Sequence, residues 1–139
     1  MKALFKIQRA GKTALPILRY ILTLKGKQLE TLDLDARVGA VITSPDLQHL
    51  QANLQASESK AIAAAAKEIE KHTRLFTQKN SGRHRDHFTI SAPSGMSHKL
   101  FKKLAIKAVP ELAVLLKLKS YVAVIHKDCK HPHLHIVSD

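Results

Sequence analysis

The sequence predicts an α+β domain in which helices pack on one face of an antiparallel sheet. Short runs rich in β-branched residues, such as YVAVIH and HFTISA, alternate with long segments of alanine, leucine, lysine and glutamate. The first composition is typical of strands and the second of helices. With 139 residues, 45% of them hydrophobic, the chain has the size of one domain with a buried core. We therefore expect residues 1–139 to form a single domain.

A helix and a strand are predicted in the first third of the chain. Thr13 is a suitable N-cap, Pro16 is tolerated in a first helical turn, and Gly26 lies just past the end, so residues 13–24 are predicted to be helical. The next apolar stretch, residues 37–43, is rich in β-branched side chains and predicts a strand.

A long helical region follows. The stretch 46–78 begins after a Ser-Pro pair and contains no interior proline or glycine. This composition predicts one long helix, or two helices with a break near Ser57–Ser59.

The second half of the chain predicts three strands and a helix. Strands are expected at residues 87–92, 120–126 and 133–138, because each run is short and β-branched. Ser97 is a suitable cap for a helix that Pro110 is expected to interrupt. A short turn separates the last two strands, so we expect them to pair as an antiparallel hairpin.

The charge of the chain favours a polyanionic partner. Lysine and arginine number 23 against 11 aspartate and glutamate, which gives a formal net charge of +12 and an isoelectric point near 10.0. A positive field of this size favours nucleic acid first and an anionic membrane surface second. The apolar runs are too short for membrane insertion and the N-terminus lacks the apolar core of a signal peptide. We expect a cytoplasmic protein, and the single cysteine, Cys129, agrees with a reducing compartment.

The C-terminal segment HKDCKHPHLHIVSD contains a candidate metal site. His126 ends one predicted strand, and His133 and His135 alternate at the start of the next, so a hairpin would bring all three imidazoles together. Three neutral imidazoles suit a divalent transition metal. Solvated or phosphate-contacting histidines are the alternative interpretation, and His131, directly before Pro132, is expected to be a turn residue.

The order of three motifs resembles the plasmid relaxases, the mobilisation nucleases of the HUH endonuclease superfamily. The spacing of His126, Asp128, His133 and His135 resembles their metal-binding motif. The stretch HFTISAP, which contains Ser91, resembles their middle motif, and ILRYILTLKGK resembles their first motif, which carries a tyrosine. Relaxase domains continue beyond the third motif, so we expect the chain to be truncated at the C-terminus and to represent the N-terminal part of such a domain.

The resemblance implies metal-dependent nicking and strand transfer of single-stranded DNA in plasmid mobilisation or conjugation. Of the two tyrosines, Tyr121 opens a buried strand, which leaves Tyr20 as the candidate nucleophile. Ser91 would help position the phosphate, and His126, His133 and His135 would bind Mg, Mn or a similar divalent ion. Expected partners are single-stranded DNA at a nick site and accessory mobilisation proteins.

Several of these residues also have simpler interpretations. Tyr20 could be an aromatic residue of an amphipathic helix, and Asp128 could either orient a histidine or cap the turn. The residues predicted to contact phosphate could instead form a solvated basic face; they are Arg83, Arg85, Lys99 and Lys102. For the whole chain the alternatives are a non-catalytic basic DNA-binding remnant of a relaxase and a protein that stores or senses a metal ion.

Overall fold

The computed structural model describes residues 4–9, 14–22, 38–56, 58–80, 86–126 and 131–138. Within these ranges the elements follow in the order β1 (Leu4–Arg9), α1 (Ala14–Leu22), β2 (Val38–Thr43), a 3-10 helix (Pro45–Leu50), α2 (Gln51–Gln55), α3 (Ser59–Asn80), β3 (Asp86–Ser91), α4 (His98–Leu115), β4 (Tyr121–His126) and β5 (His133–Ser138).

The strands form one sheet in the order β1-β3-β5-β4-β2, and every neighbouring pair is antiparallel. The predicted hairpin is confirmed, since β4 pairs with β5 from Tyr121 opposite Ser138 to His126 opposite His133. The same register places Ser91 of β3 opposite His133. The central strand β5 therefore aligns the middle motif with the C-terminal histidines.

One face of the sheet is covered by α1, α2, α3 and the 3-10 helix. Its core includes Leu18, Ile21 and Leu22 from α1 and Val122 and Val124 from β4. A nine-residue helix such as α1 is marginal alone in water, so the burial of its three apolar side chains, about 1.5–3 kcal/mol each, holds it in place. The docking of α1 therefore depends on this core.

Helix α4 covers the opposite face of the sheet. Its buried stripe, Phe101, Ala105, Val109 and Ala113, packs with strand residues that include Tyr121. The α+β class and the antiparallel sheet are confirmed, but the expectation that the long helices share one face is wrong. The physical reason is β4, whose six residues are all buried, so both of its faces need apolar cover.

Three local predictions can be compared with the structure. The break between α2 and α3 lies at the predicted place, near Ser57–Ser59. Ser97 caps α4 as predicted, since its hydroxyl accepts a hydrogen bond from the Leu100 amide at 3.1 Å. The interruption at Pro110 is wrong, because α4 continues to Leu115. Pro110 lies on the exposed side while Val109 and Ala113 remain anchored in the core, and this packing offsets the lost backbone hydrogen bond.

Strand β1 was not predicted. Phe5 and Ile7 alternate with Lys6 and Gln8, which is a strand pattern in the sequence. Among the described strands it lies at the sheet edge and pairs with β3, about eighty residues later in the chain. That residues 1–139 form a single domain stays a prediction.

Candidate metal centre

The three C-terminal histidines lie together on the sheet face that α1 covers. The ring centroids are 5.0 Å apart for His126 and His133, 4.5 Å for His126 and His135, and 5.1 Å for His133 and His135. One potential ligand nitrogen from each ring lies within 4.8 Å of the other two. The convergence predicted from the hairpin is therefore present, and among the described residues the group consists of histidines alone.

Strand pairing produces this cluster. His133 and His135 are two residues apart in β5 and project to the same face, and His126 is directly opposite His133 in β4. A register shift between Val38 and Ala40 occurs where β2 passes His126. Such irregularities are common beside functional sites, because they change the direction of neighbouring side chains.

His126 forms a hydrogen bond with the last turn of α1. Its Nε2 lies 2.7 Å from the carbonyl oxygen of Ile21, and because a carbonyl only accepts, Nε2 carries the proton. This carbonyl belongs to the last turn of α1, where backbone oxygens have no partner within the helix. The hydrogen bond satisfies that oxygen and leaves Nδ1 as the nitrogen through which a neutral His126 would bind a metal.

The contact between His126 and His133 fits a bound cation. His133 donates from Nδ1 to the carbonyl of His131 at 3.3 Å, so the neutral ring presents the lone pair of Nε2. This Nε2 lies 3.1 Å from His126 Nδ1, so two lone pairs face one another. Only a proton or another cation between them makes this approach favourable. Two nitrogens at metal distances of about 2.0–2.1 Å from one ion have a similar separation.

A fourth histidine, His87, contacts the cluster from β3. Its Nε2 lies 2.9 Å from Nδ1 of His135, and the two rings are stacked with centroids 5.2 Å apart. Burial lowers the pKa of His87 below its usual value of 6.5, because desolvation disfavours the charged imidazolium. His87 lies four residues before Ser91, but no role for it was predicted from the sequence.

Burial differs across the cluster and leaves one open side. His87, His126 and His135 are 3%, 2% and 8% exposed, whereas His133 is half-buried. The cluster is therefore reachable from the end of the hairpin at which His133 lies. Ser91 is half-buried and stands opposite His133 on the neighbouring strand, so the register brings it to this open side.

Tyr20 lies next to Ile21 in α1 and is 52% exposed. Its helix packs across β4 and β5, and the Ile21 carbonyl contacts His126. The other tyrosine, Tyr121, is buried on the opposite face of the sheet, in the core under α4. Burial and, to a lesser extent, the Asp46 carboxylate raise the pKa of Tyr121. Of the two tyrosines, Tyr20 is the one whose element packs on the sheet face that carries the histidines.

The basic residues predicted to contact phosphate do not lie at the histidine cluster where the structure describes them. Lys99 and Lys102 are exposed in the first turns of α4, which begins after Ser91 and packs on the face opposite the histidines. Arg83, Arg85 and Asp128 lie outside the described residues.

The fold and the site together define an α+β protein with a three-histidine centre on the face of an antiparallel sheet. The family model of the MobA/VirD2-like relaxase nuclease domain matches residues 43–139, well over half of the chain. The chain belongs to this relaxase family. The matched range contains Ser91 and the three histidines, whereas Tyr20 precedes it.

No curated protein matches the chain. In the described ranges, no helix combines the length and apolar character needed to cross a bilayer. Membership of the family ties the chain to DNA nicking in mobilisation and to binding of single-stranded DNA.

Proposed function

We propose that the chain is a metal-dependent nuclease and strand transferase that cuts single-stranded DNA with Tyr20 as its nucleophile. The observation that carries the proposal is the hydrogen bond between His126 and the Ile21 carbonyl. It attaches the helix that bears Tyr20 to a residue of the three-histidine centre.

The reaction is a transesterification at one phosphodiester. The Tyr20 oxygen loses its proton and forms a bond to phosphorus, and the bond from phosphorus to the 3′ oxygen breaks. The leaving 3′ oxygen takes a proton, and the 5′ phosphate stays on the protein as a phosphotyrosine. Reversal of the same step with a new 3′ hydroxyl transfers or rejoins the strand. Ser91, opposite His133 in the sheet, would donate a hydrogen bond to a phosphate oxygen on the open side.

His126, His133 and His135 would hold a divalent ion through one nitrogen each. Such an ion supplies positive charge that polarises the phosphate and stabilises the charge of the transition state. Imidazole donors favour a transition-metal dication over magnesium, so we propose manganese or a similar ion in preference to magnesium. Because the described ligands are neutral, the full charge of the ion remains available to an anionic substrate.

The proposal is tested by trapping the covalent product. Incubation with a single-stranded nick-site oligonucleotide and Mn²⁺ should give a protein–DNA adduct that survives denaturing electrophoresis. Tyr20→Phe should abolish the adduct and leave DNA binding nearly unchanged, because only the nucleophilic oxygen is removed. Tyr121→Phe is the matched control and should retain the adduct, since Tyr121 lies on the other face of the sheet.

One observation favours a second function. The family match begins at residue 43, after Tyr20, so the matched part holds the histidines without the proposed nucleophile. This favours a non-catalytic, basic DNA-binding remnant. Binding of the oligonucleotide by the wild type with no adduct would support the remnant, and an adduct that persists in Tyr20→Phe would show that another residue is the nucleophile. The plasmid setting, the accessory proteins and the cytoplasmic location stay predictions.

A further inference from the structure

The contact between the buried side chains of His87 and His135 indicates a role for His87. His87 lies on β3, where it projects to the same sheet face as Ser91 and the histidine cluster. Its Nε2 is 2.9 Å from His135 Nδ1, and both rings are buried. One of these two nitrogens must carry the proton that joins them.

We infer that His87 is a positioning residue for the metal ligand His135. This inference rests on the metal site proposed above. If His135 binds an ion through Nε2, its Nδ1 keeps the proton, and His87 accepts that proton's hydrogen bond at Nε2. The contact fixes the tautomer and the ring orientation of His135.

The other two ligands follow the same scheme. His126 donates from its second nitrogen to the Ile21 carbonyl, and His133 donates to the His131 carbonyl. Each of the three rings thus has an acceptor on the nitrogen that would not bind the ion. His135 differs because its acceptor is a side chain, so this contact can be removed by substitution. Loss of such a contact typically lowers metal affinity 10-fold to 100-fold.

Metal titration of two His87 variants tests the inference. Mn²⁺ binding is measured from the loss of the electron paramagnetic resonance signal of the free ion. His87→Gln keeps an acceptor oxygen near the position of Nε2 and should bind Mn²⁺ within a few-fold of the wild type. His87→Phe keeps the ring without the acceptor and should bind about 10-fold to 100-fold more weakly. His49→Phe, at an exposed histidine of the 3-10 helix, is the matched control and should leave the affinity unchanged.

The same substitution made in the His135→Ala variant separates a positioning role of His87 from general damage to the metal site. In His135→Ala the ligand is already lost, so adding His87→Phe should reduce the remaining affinity no further. An equal loss in both backgrounds would overturn the positioning role. If wild type and His87→Phe bind Mn²⁺ equally, only the role of His87 is overturned; if the wild type binds no ion, the metal site itself is overturned.

The wild-type protein gives a test that does not depend on the folding of a variant. With Zn²⁺ bound, long-range ¹H–¹⁵N spectra of the imidazoles report which nitrogen of each ring carries the proton. We expect His135 to be protonated at Nδ1 and bound at Nε2, with His87 unprotonated at Nε2. A zinc-bound His135 protonated at Nε2 would overturn the inference.

Discussion

The four clustered histidines differ in what their ring nitrogens contact, and this difference gives them different tasks. His126 and His133 each donate to a backbone carbonyl, which directs their remaining nitrogens at one another 3.1 Å apart. His135 is joined to the cluster through β5 and to His87 through Nδ1. The local hydrogen bonds therefore decide which atoms would meet a metal ion, and residue identity alone does not.

Removing two ligands should remove the metal site. Wild-type protein is expected to bind about one divalent ion per chain in a calorimetric titration, and His133→Ala combined with His135→Ala should lose this binding, because one imidazole alone binds weakly. The control is His49→Ala combined with His98→Ala, which removes two histidines outside the cluster. Binding that survives in the first variant would place the ion elsewhere.

Tyr121 should make the fold sensitive to alkali. Its pKa is raised above the usual 10.0 by burial and by Asp46, so the unfolded chain loses this proton first as the pH rises. The contribution of Tyr121 to stability is complete below about pH 10 and is lost as the pH rises through the folded-state pKa. The free energy of unfolding in urea should fall less steeply between about pH 9 and about pH 11 in Tyr121→Phe than in the wild type. Identical slopes would show that the tyrosine is not responsible.

At the scale of elements, α1 links the core to the site. Leu18, Ile21 and Leu22 hold it against the sheet, and the Ile21 carbonyl contacts His126. Helix α4 has a different task, because it covers the opposite face and reaches the site only through the segment that follows Ser91. That segment contains Gly95, whose φ of +87° favours glycine because residues with a Cβ atom rarely adopt it.

The end of α4 contains a residue in an unfavourable conformation. Lys117 has a φ of 57°, and the amides of Lys117 and Leu118 bond to the carbonyls of Val114 and Ala113, which is a Schellman ending. Lys117→Gly should raise the free energy of unfolding by about 0.5–1 kcal/mol, because glycine adopts this φ without the clash of a Cβ atom. Lys103→Gly, inside the same helix and also exposed, should lower it by about 1 kcal/mol. Chemical denaturation measures both, and a loss of stability in Lys117→Gly would contradict the argument.

The molecule as a whole carries a formal charge of +12, which suits a polyanionic substrate. Among the described residues, no carboxylate belongs to the three-histidine centre. The open side of the centre lies at the end of the sheet where Ser91 is opposite His133. Long-range attraction would therefore bring DNA to the protein, and short-range contacts would place one phosphate.

Binding of single-stranded DNA should weaken steeply with added salt, because phosphate contacts release bound counterions. If Lys99 and Lys102 contact phosphates, replacing each with alanine should reduce the slope of log affinity against log salt by about 0.7. Lys107→Ala, further along the same helix and also exposed, is the control and should leave the slope nearly unchanged. Equal changes in all three variants would indicate a general field without specific contacts, and binding independent of salt would contradict the electrostatic argument.

Local patterns were sufficient to predict much of the fold. The strands at 38–43, 86–91, 121–126 and 133–138 were predicted to within one residue because each is a short apolar run between clear breaks. β1 was missed because the strand it pairs with in the described sheet, β3, is distant in sequence. Placement of α4 on the second face was missed because the pattern of a helix shows which side is apolar, but not which sheet face it meets.

The α+β class and the convergence of His126, His133 and His135 could be predicted from local patterns, because strand alternation and a short turn act over only a few residues. Three further contacts could not be predicted in this way: the end of α1 meets His126, Ser91 lies opposite His133, and His87 contacts His135. These contacts join residues up to 105 positions apart, and they depend on strand order and core packing. The spacing of residues within a motif does not specify either of these.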